Sequence, residues 1–347
     1  MKRTTATMQV AFTYIGTVVG AGFATGQEIL QFFTKYGSIA LLTILIATFF
    51  FIWLGTKIML LAHDIGAASY EDLNKALFGE KVGRWISVLL LSELFSVSVV
   101  MLAGAGSVFK EHLGLSYPVG VVFTLLLGYV IISRGMKGII SVNTIVVPLM
   151  LVFTALVFYN TVLSPGFAAG QWLQLSDPYP PGRALIAPLL YSAFNLASSQ
   201  AVLVPLGAAV KDRAAIKRGG VLGGIGLGLM LLAGHLSLSA HVPGIFHYDI
   251  PMGLVVAGLG ALIHTVYLIL IYAEIFTTFI ADIFGLSLQL EQRTGFRRNR
   301  IVIAALLLCL AISFIGFKAL LSTLYPLFGV LSLFWFCMVM VRSRCPA

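Results

Sequence analysis

The 347-residue sequence predicts an all-α polytopic membrane protein: ten transmembrane helices in a 5+5 inverted repeat, with the first and sixth helices broken. Three observations lead there. Charged residues make up 10% of the chain and hydrophobic ones 59%, whereas a soluble globular protein is about a quarter charged. Ten apolar segments follow one another, most of them long enough to supply the roughly 20 residues that cross a hydrocarbon core. A loop rich in proline and glycine falls halfway along and leaves five segments on either side.

The first segment, 8–35, follows Lys2 and Arg3 as a secretory signal would. No small-x-small cleavage site comes after it and many apolar segments do, so it reads as a membrane helix. The second, 38–64, ends at an inner loop, 65–82, that holds Glu71, Asp72, Lys75 and Lys81. The third, 83–109, carries Glu93 within LLLSELFSVSVV; the fourth, 117–132, is short; the fifth is 137–160. The connection 161–182 contains SDPYPPG, which cannot continue a helix. The sixth segment, 183–209, has Asn195, Ser198, Ser199 and Gln200 at its centre, unexpected residues for the middle of a lipid span. The remaining segments are 219–240, 249–280, 300–316 and 318–341. An odd number of crossings per half forces the halves into opposite orientations, the arithmetic of an inverted repeat. The expected units are residues 1–160, an extracellular connection 161–182, and residues 183–347 with a short cytoplasmic tail.

The net charge is +9. With the N-terminus inside, seventeen of the 22 Lys and Arg residues fall on the inner side and Lys35, Lys110, Arg183 and Lys318 on the outer. Lys57 is left within the inner half of the second segment. Basic residues favour cytoplasmic loops, so both termini are expected inside. The basic runs are thereby read as topology and not as a nucleic-acid surface, and anionic lipid can touch the same residues. Cys309, Cys337 and Cys345 have neither disulfide nor zinc spacing. His235, His241 and His247 gather around the loop after the seventh segment, also without zinc spacing. Nothing in the sequence identifies an oligomeric partner.

The stretch GTVVGAGFATGQE, Gly16 to Glu28, admits two readings. Gly16-x-x-x-Gly20 and Gly22-x-x-x-Gly26 are spacings at which two membrane helices approach closely. Alternatively the helix unwinds there, since glycine costs least where a backbone leaves helical geometry. Freed amides and carbonyls in lipid then need an ion, a solute, water or protein to satisfy them. A phosphate-binding loop is excluded, because no strand–helix context exists. The polar centre of the sixth segment favours the second reading and points to a midplane site formed by Gly20, Ala21, Gly22, Phe23 and Gly26 opposite Phe194, Asn195, Ser198 and Ser199.

That stretch, with the ten-segment pattern, resembles the YkvI-like bacterial membrane proteins of the amino acid–polyamine–organocation superfamily, which have the LeuT-type fold. The resemblance covers essentially the whole chain. It implies secondary transport by alternating access across the bacterial cell membrane, with a small solute bound between helices 1, 3, 6 and 8. In sodium-coupled relatives, carbonyls at the first-helix break share a cation with two hydroxyls on helix 8. YAEIFTTFIAD, Tyr272 to Asp282, places Thr277 and Thr278 at that spacing, with Val19 and Gly20 as carbonyl donors. The threonines could equally bond back to their own helix. Glu274 stands where relatives usually have a small residue. It could neutralise Na+, carry a proton, or face water near the inner interface.

Glu93 is a candidate for a substrate amine or proton coupling, and Glu28 for gating. His264, central in the eighth segment, and Tyr267 a turn away are further lining candidates. No Ser/His/Asp grouping and no ATP-binding loop is found, which argues against an enzyme. No cofactor is called beyond a bound Na+. The expected function is Na+- or H+-coupled transport of a small polar organic solute, an amino acid or amine. A non-transporting solute receptor and a channel stand as alternatives.

Overall fold

Apolar runs bounded by glycine, proline and charged residues fold into helices throughout the chain. The structure, a computed structural model, describes residues 3–67, 69–133, 137–164, 167 and 181–341, with backbone alone for 137–147, 181 and 292. No strand occurs among the described residues. The expectations for Lys2, Arg134, Arg342, Arg344, Cys345 and most of the 161–182 connection fall outside them.

The first span comprises α1 (Arg3–Val18), α2 (Ala21–Ala24) and α3 (Gln27–Phe32). The second runs through a 3-10 turn (Thr34–Ile39), α4 (Ala40–Phe50), a π-turn (Phe51–Gly55) and α5 (Thr56–Ile65). A π-turn loosens the carbonyl ladder, and here Tyr14 donates its hydroxyl to the Phe51 carbonyl at 2.8 Å. Then come α6 (Tyr70–His112), α7 (Tyr117–Ser133), α8 (Lys137–Val162), α9 (Pro181–Ala209), α10 (Arg213–Ser239), α11 (Pro251–Ala257), α12 (Ala261–Thr294), α13 (Arg298–Ser313) and α14 (Phe317–Val341).

The predicted apolar segments are helical along most of their described length, and among the described residues six spans are long and apolar enough to cross a membrane unaided. Tyr117–Ser133 and the Pro148–Val162 part of α8 are shorter apolar stretches, and α1 and α13 have 16 residues each.

Three expectations are corrected. The sixth span is not broken: α9 is one continuous helix despite Pro188 and Pro205. Three of its central polar residues bond back into it. Asn195 Nδ2 donates to the Tyr191 carbonyl at 3.0 Å, Gln200 Nε2 to Ala197 at 3.1 Å, and Ser199 to the Asn195 carbonyl. A side chain that bonds its own preceding turn is satisfied without an opened backbone. The inner loop 65–82 is mostly helix. Ser69 and Asp72 form a reciprocal capping box that starts α6, and Gly79 (φ 81°, ψ 167°) then breaks its course. The eighth span is divided, because Gly258–Gly260 separates α11 from α12. The long helix therefore begins at Ala261 and runs on to Thr294.

Small-residue packing operates chiefly on α10. A Cβ on Gly223 would lie 2.7 Å from Tyr14 Cδ1, and one on Gly224 2.7 Å from the Ile52 backbone. This face seats α10 against α1 and against the second span. The loops gather at two ends. Arg3 pairs with Asp212 at 2.6 Å, Arg213 with Asp64 at 3.0 Å and Arg293 with Glu71 at 3.1 Å. At the opposite end, the Glu111 carboxylate accepts the amides of Asp249 (2.9 Å) and Ile250 (3.0 Å), and Tyr117 donates to the Ser313 carbonyl at 2.6 Å. Each pair joins segments that the charge pattern places on one side of the membrane.

Candidate functional site

The first span opens at Val19–Gly20. Val19 N–H still bonds the Ile15 carbonyl at 2.8 Å, after which Gly20 turns extended (φ −101°, ψ −171°). Among the described backbone bonds none ends on the Val19 carbonyl, whereas the Gly20 carbonyl accepts Ala24 N–H at 2.9 Å. A Cβ built on Gly20 would have no neighbour within 4 Å. Close helix packing therefore does not explain that glycine, and the open-backbone reading holds at this position. Gly26 is left-handed (φ 82°) and turns the chain into α3.

The carbonyls that follow the break are held by the eighth span. Met252 N–H donates to the Thr25 carbonyl at 2.9 Å, and the Tyr267 hydroxyl to Ala24 at 2.8 Å. Thr25 donates to the Gly22 carbonyl at 3.1 Å. The short piece α2, with Ala21, Gly22 and Phe23 all buried, is thus sewn to α11 and α12 through its own backbone.

Glu28 lies one turn beyond and is 3% exposed. Its side chain folds back over the break: a Cβ on Gly22 would be 2.8 Å from Glu28 Cδ. Gly22 is glycine because that carboxylate occupies the space. The Tyr191 hydroxyl stands beside the same carboxylate without a completed hydrogen bond, and Glu28 Oε2 is buried without a partner. Tyr191 itself is wedged by Phe32 and Phe33, with ring centroids 5.3 and 5.1 Å away.

Glu93, on α6 and 1% exposed, accepts the Ser198 hydroxyl of α9 through Oε1, while Oε2 has no partner. Asp282 of α12 is close enough to act on it electrostatically. Tyr325 of α14 packs against Phe194 with ring centroids 4.3 Å apart, and Glu28, Glu93 and Asp282 lie within electrostatic reach of it. Three buried acids and one buried phenol are thus drawn from four spans, the first, third, eighth and tenth, into one region. Among the described residues no ion pair involves any of them, or Glu274. Acids inside a membrane span without basic partners mark a pathway for an ion, a proton or a solute.

The remaining candidates are less tightly grouped. Glu274 is 3% exposed with Oε1 unpartnered, so it does not face open water as one sequence reading had it. Thr277, 1% exposed, donates to the Glu274 carbonyl at 3.2 Å. A hydroxyl that has given its proton keeps lone pairs for a cation. Thr278 is half-buried. His264 is not central: it is the fourth residue of α12, its ring 5.3 Å from that of His112 near the end of the bundle. His235 belongs to α10 and meets Thr34 Oγ1 at 3.2 Å, and no metal-binding group of three or more His, Cys, Asp or Glu exists among the described residues.

Asp282, Tyr191 and Tyr325 were not singled out from sequence. Asp282 carried a signal, being an acid in an apolar run. The two tyrosines carried none, being two of 12 in an aromatic-rich chain.

No family model matches the chain. Among curated proteins it is 41% identical over 328 residues to the membrane protein YkvI of Bacillus subtilis (strain 168), covering 94% of this chain and 92% of that one. It is 26% identical to YyaD of the same organism over 92% of each chain. A sodium/pantothenate symporter of Haemophilus influenzae is 26% identical over 197 residues, 53% of this chain and 41% of that one. Among solved structures, MhsT in complex with L-phenylalanine superposes with a TM-score of 0.65 at 14% identity, over 96% of both chains. The inward-facing conformation of Mhp1 gives 0.59 at 13% identity, over 94% of this chain and 73% of that one. Both share the LeuT-type fold with this chain.

Proposed function

This chain belongs to the family of the membrane protein YkvI and has the LeuT-type fold, and on that premise we propose that it is a secondary transporter of a small polar organic solute, an amino acid or amine, coupled to Na+ or H+ by alternating access. The observation that carries this reading is the opened backbone at Val19–Gly20, which lies in the same buried region as carboxylates lacking basic partners. Free carbonyls suit a cation, and the N-terminal ends of the pieces after the break suit an anionic group.

The solute would sit against residues 20–26, flanked by Phe194, Ser198 and Glu93, with Glu93 facing its ammonium group. Asn195 and Ser199 would line the site from α9, and Tyr267 from α12. Glu28 would gate the site, since its carboxylate already covers Gly22. A Na+ would take the Val19 and Gly20 carbonyls with Thr277 and Thr278, Glu274 offsetting its charge. His264, near the mouth, would meet the solute on entry and not at the midplane. We further propose that 1–160 and 183–347 are the two inverted repeats, with both termini cytoplasmic and the protein in the bacterial cell membrane. Coupling arises because ion and solute together favour one state over the other by differential affinity.

Proteoliposomes test this directly, with labelled amino acids and amines taken up under imposed Na+ or H+ gradients. Saturable, gradient-driven uptake with counterflow is the expected result. Specific binding without flux under either gradient would make the protein a receptor, and continuous conductance would make it a channel.

A further inference from the structure

A second binding feature lies on the flank of the bundle, away from the central acids. Between the second span and α10 there is a groove of about 570 Å³ lined by Phe49, Ile52, Trp53, Leu60, Leu61 and Val221 along its length. One end is charged, by Lys57, Arg213, Lys217 and Asp64. The balance there is three positive groups against one negative. Asp64 is committed to Arg213 through bonds of 3.0 and 3.1 Å. Lys57 lies 5.6 Å from the Trp53 ring centroid and bonds the Met340 carbonyl at 3.0 Å, so it is held at the groove and not free to leave it. Lys217 forms no ion pair among the described residues.

The groove has a structural cause. Gly220 and Gly224 bring α10 hard against Thr56 and Ile52, and the side chains beyond that line of contact diverge. Phe49 and Trp53, 56% and 40% exposed, stack with centroids 5.6 Å apart and form an aromatic wall. An apolar channel that ends in a cluster of cations matches one occupant by charge and shape: an acyl chain with an anionic headgroup.

We propose that this groove is a binding site for an anionic phospholipid, whose chain lies along Phe49 and Trp53 and whose phosphate sits between Lys57 and Lys217. The site belongs to the end of the bundle that also holds Arg3 and Arg293. It is independent of the transport reading, because no residue of the central site lines it.

Trp53 supplies the probe. The full-length protein is reconstituted in phosphatidylcholine vesicles containing a minor fraction of brominated phosphatidylglycerol, and in matched vesicles with brominated phosphatidylcholine. Subtracting W53F from wild type isolates the Trp53 signal. Stronger quenching by the brominated anionic lipid is expected. K57Q/K217Q should lower that preference about 25-fold, about fivefold per lysine, while K57R/K217R retains it. Equal quenching by the two lipids in wild type overturns the proposal, as does an unchanged preference in K57Q/K217Q. Circular dichroism of each variant shows that the comparison is made on folded protein.

Discussion

Gly20, Gly22 and Gly26 occupy one short stretch and answer to three different constraints. Gly20 has open space, Gly22 yields its side-chain volume to Glu28, and Gly26 holds a left-handed turn. Alanine scanning separates them. Gly20→Ala should melt close to wild type, since its added methyl meets nothing within 4 Å. Gly26→Ala should lose about 1–2 kcal/mol for the left-handed backbone, with a Cβ 3.3 Å from both Leu238 and Met252. Equal losses at the two positions would return Gly20 to a packing role.

At the proposed ion site, Thr277→Ala should weaken Na+-dependent stabilisation by about tenfold, the scale of one polar contact to a charge. Unchanged Na+ affinity in a folded variant would remove that assignment. Glu274→Gln should alter the pH profile of uptake if that carboxylate takes part in coupling, and an identical profile would leave it structural. Sequence spacing located these residues but not their company. Ser198 is brought to Glu93 from 105 residues along the chain, and no local pattern encodes a contact of that separation.

Helices succeed or fail here on what their ends and faces meet. The α6 capping box predicts that Ser69→Ala lowers stability by about 1 kcal/mol, read as a shift in thermal melting. At α10, Asp212 accepts the amides of Ala214 (2.9 Å) and Ala215 (3.3 Å) and also pairs with Arg3. The hydrogen bond from Arg3 holds the Asp212 carboxyl below the ordinary aspartate range. A depressed folded value means that its contribution is present above the ordinary pKa and is lost as pH falls through the folded one. The melting difference between wild type and Asp212→Asn should therefore close on acidification, and a gap independent of pH would show that the charge contributes nothing. The continuous α9 teaches the converse lesson. Asn195, Ser199 and Gln200 look like helix breakers in a list of residues, yet each returns its hydrogen bond to the preceding turn.

Across the whole molecule, the basic residues sort by end. Arg3, Arg213 and Arg293 reach acids at one end of the bundle, and Lys318 bonds the Phe246 carbonyl at the other. The proposed orientation then makes a direct prediction. A cysteine at position 318 (Lys318→Cys) should react with an impermeant maleimide on intact cells, whereas one at position 293 (Arg293→Cys) should react only after permeabilisation. The opposite pattern would invert the topology.

Composition and periodicity alone determined that this chain lives in a bilayer, where the apolar segments run and which loops share a side, because lipid excludes charge and demands internally bonded backbone regardless of tertiary detail. The GTVVGAGFATGQE stretch admitted an opening of the first span beside a close-packing reading, and the structure places the opening at Val19–Gly20. Only the tertiary structure decided that the sixth span stays whole, that His264 lies near one end of the bundle beside His112, and that Ser198 meets the buried Glu93. Those outcomes depend on which neighbour satisfies each polar atom, and a neighbour supplied from another helix leaves no trace in local sequence.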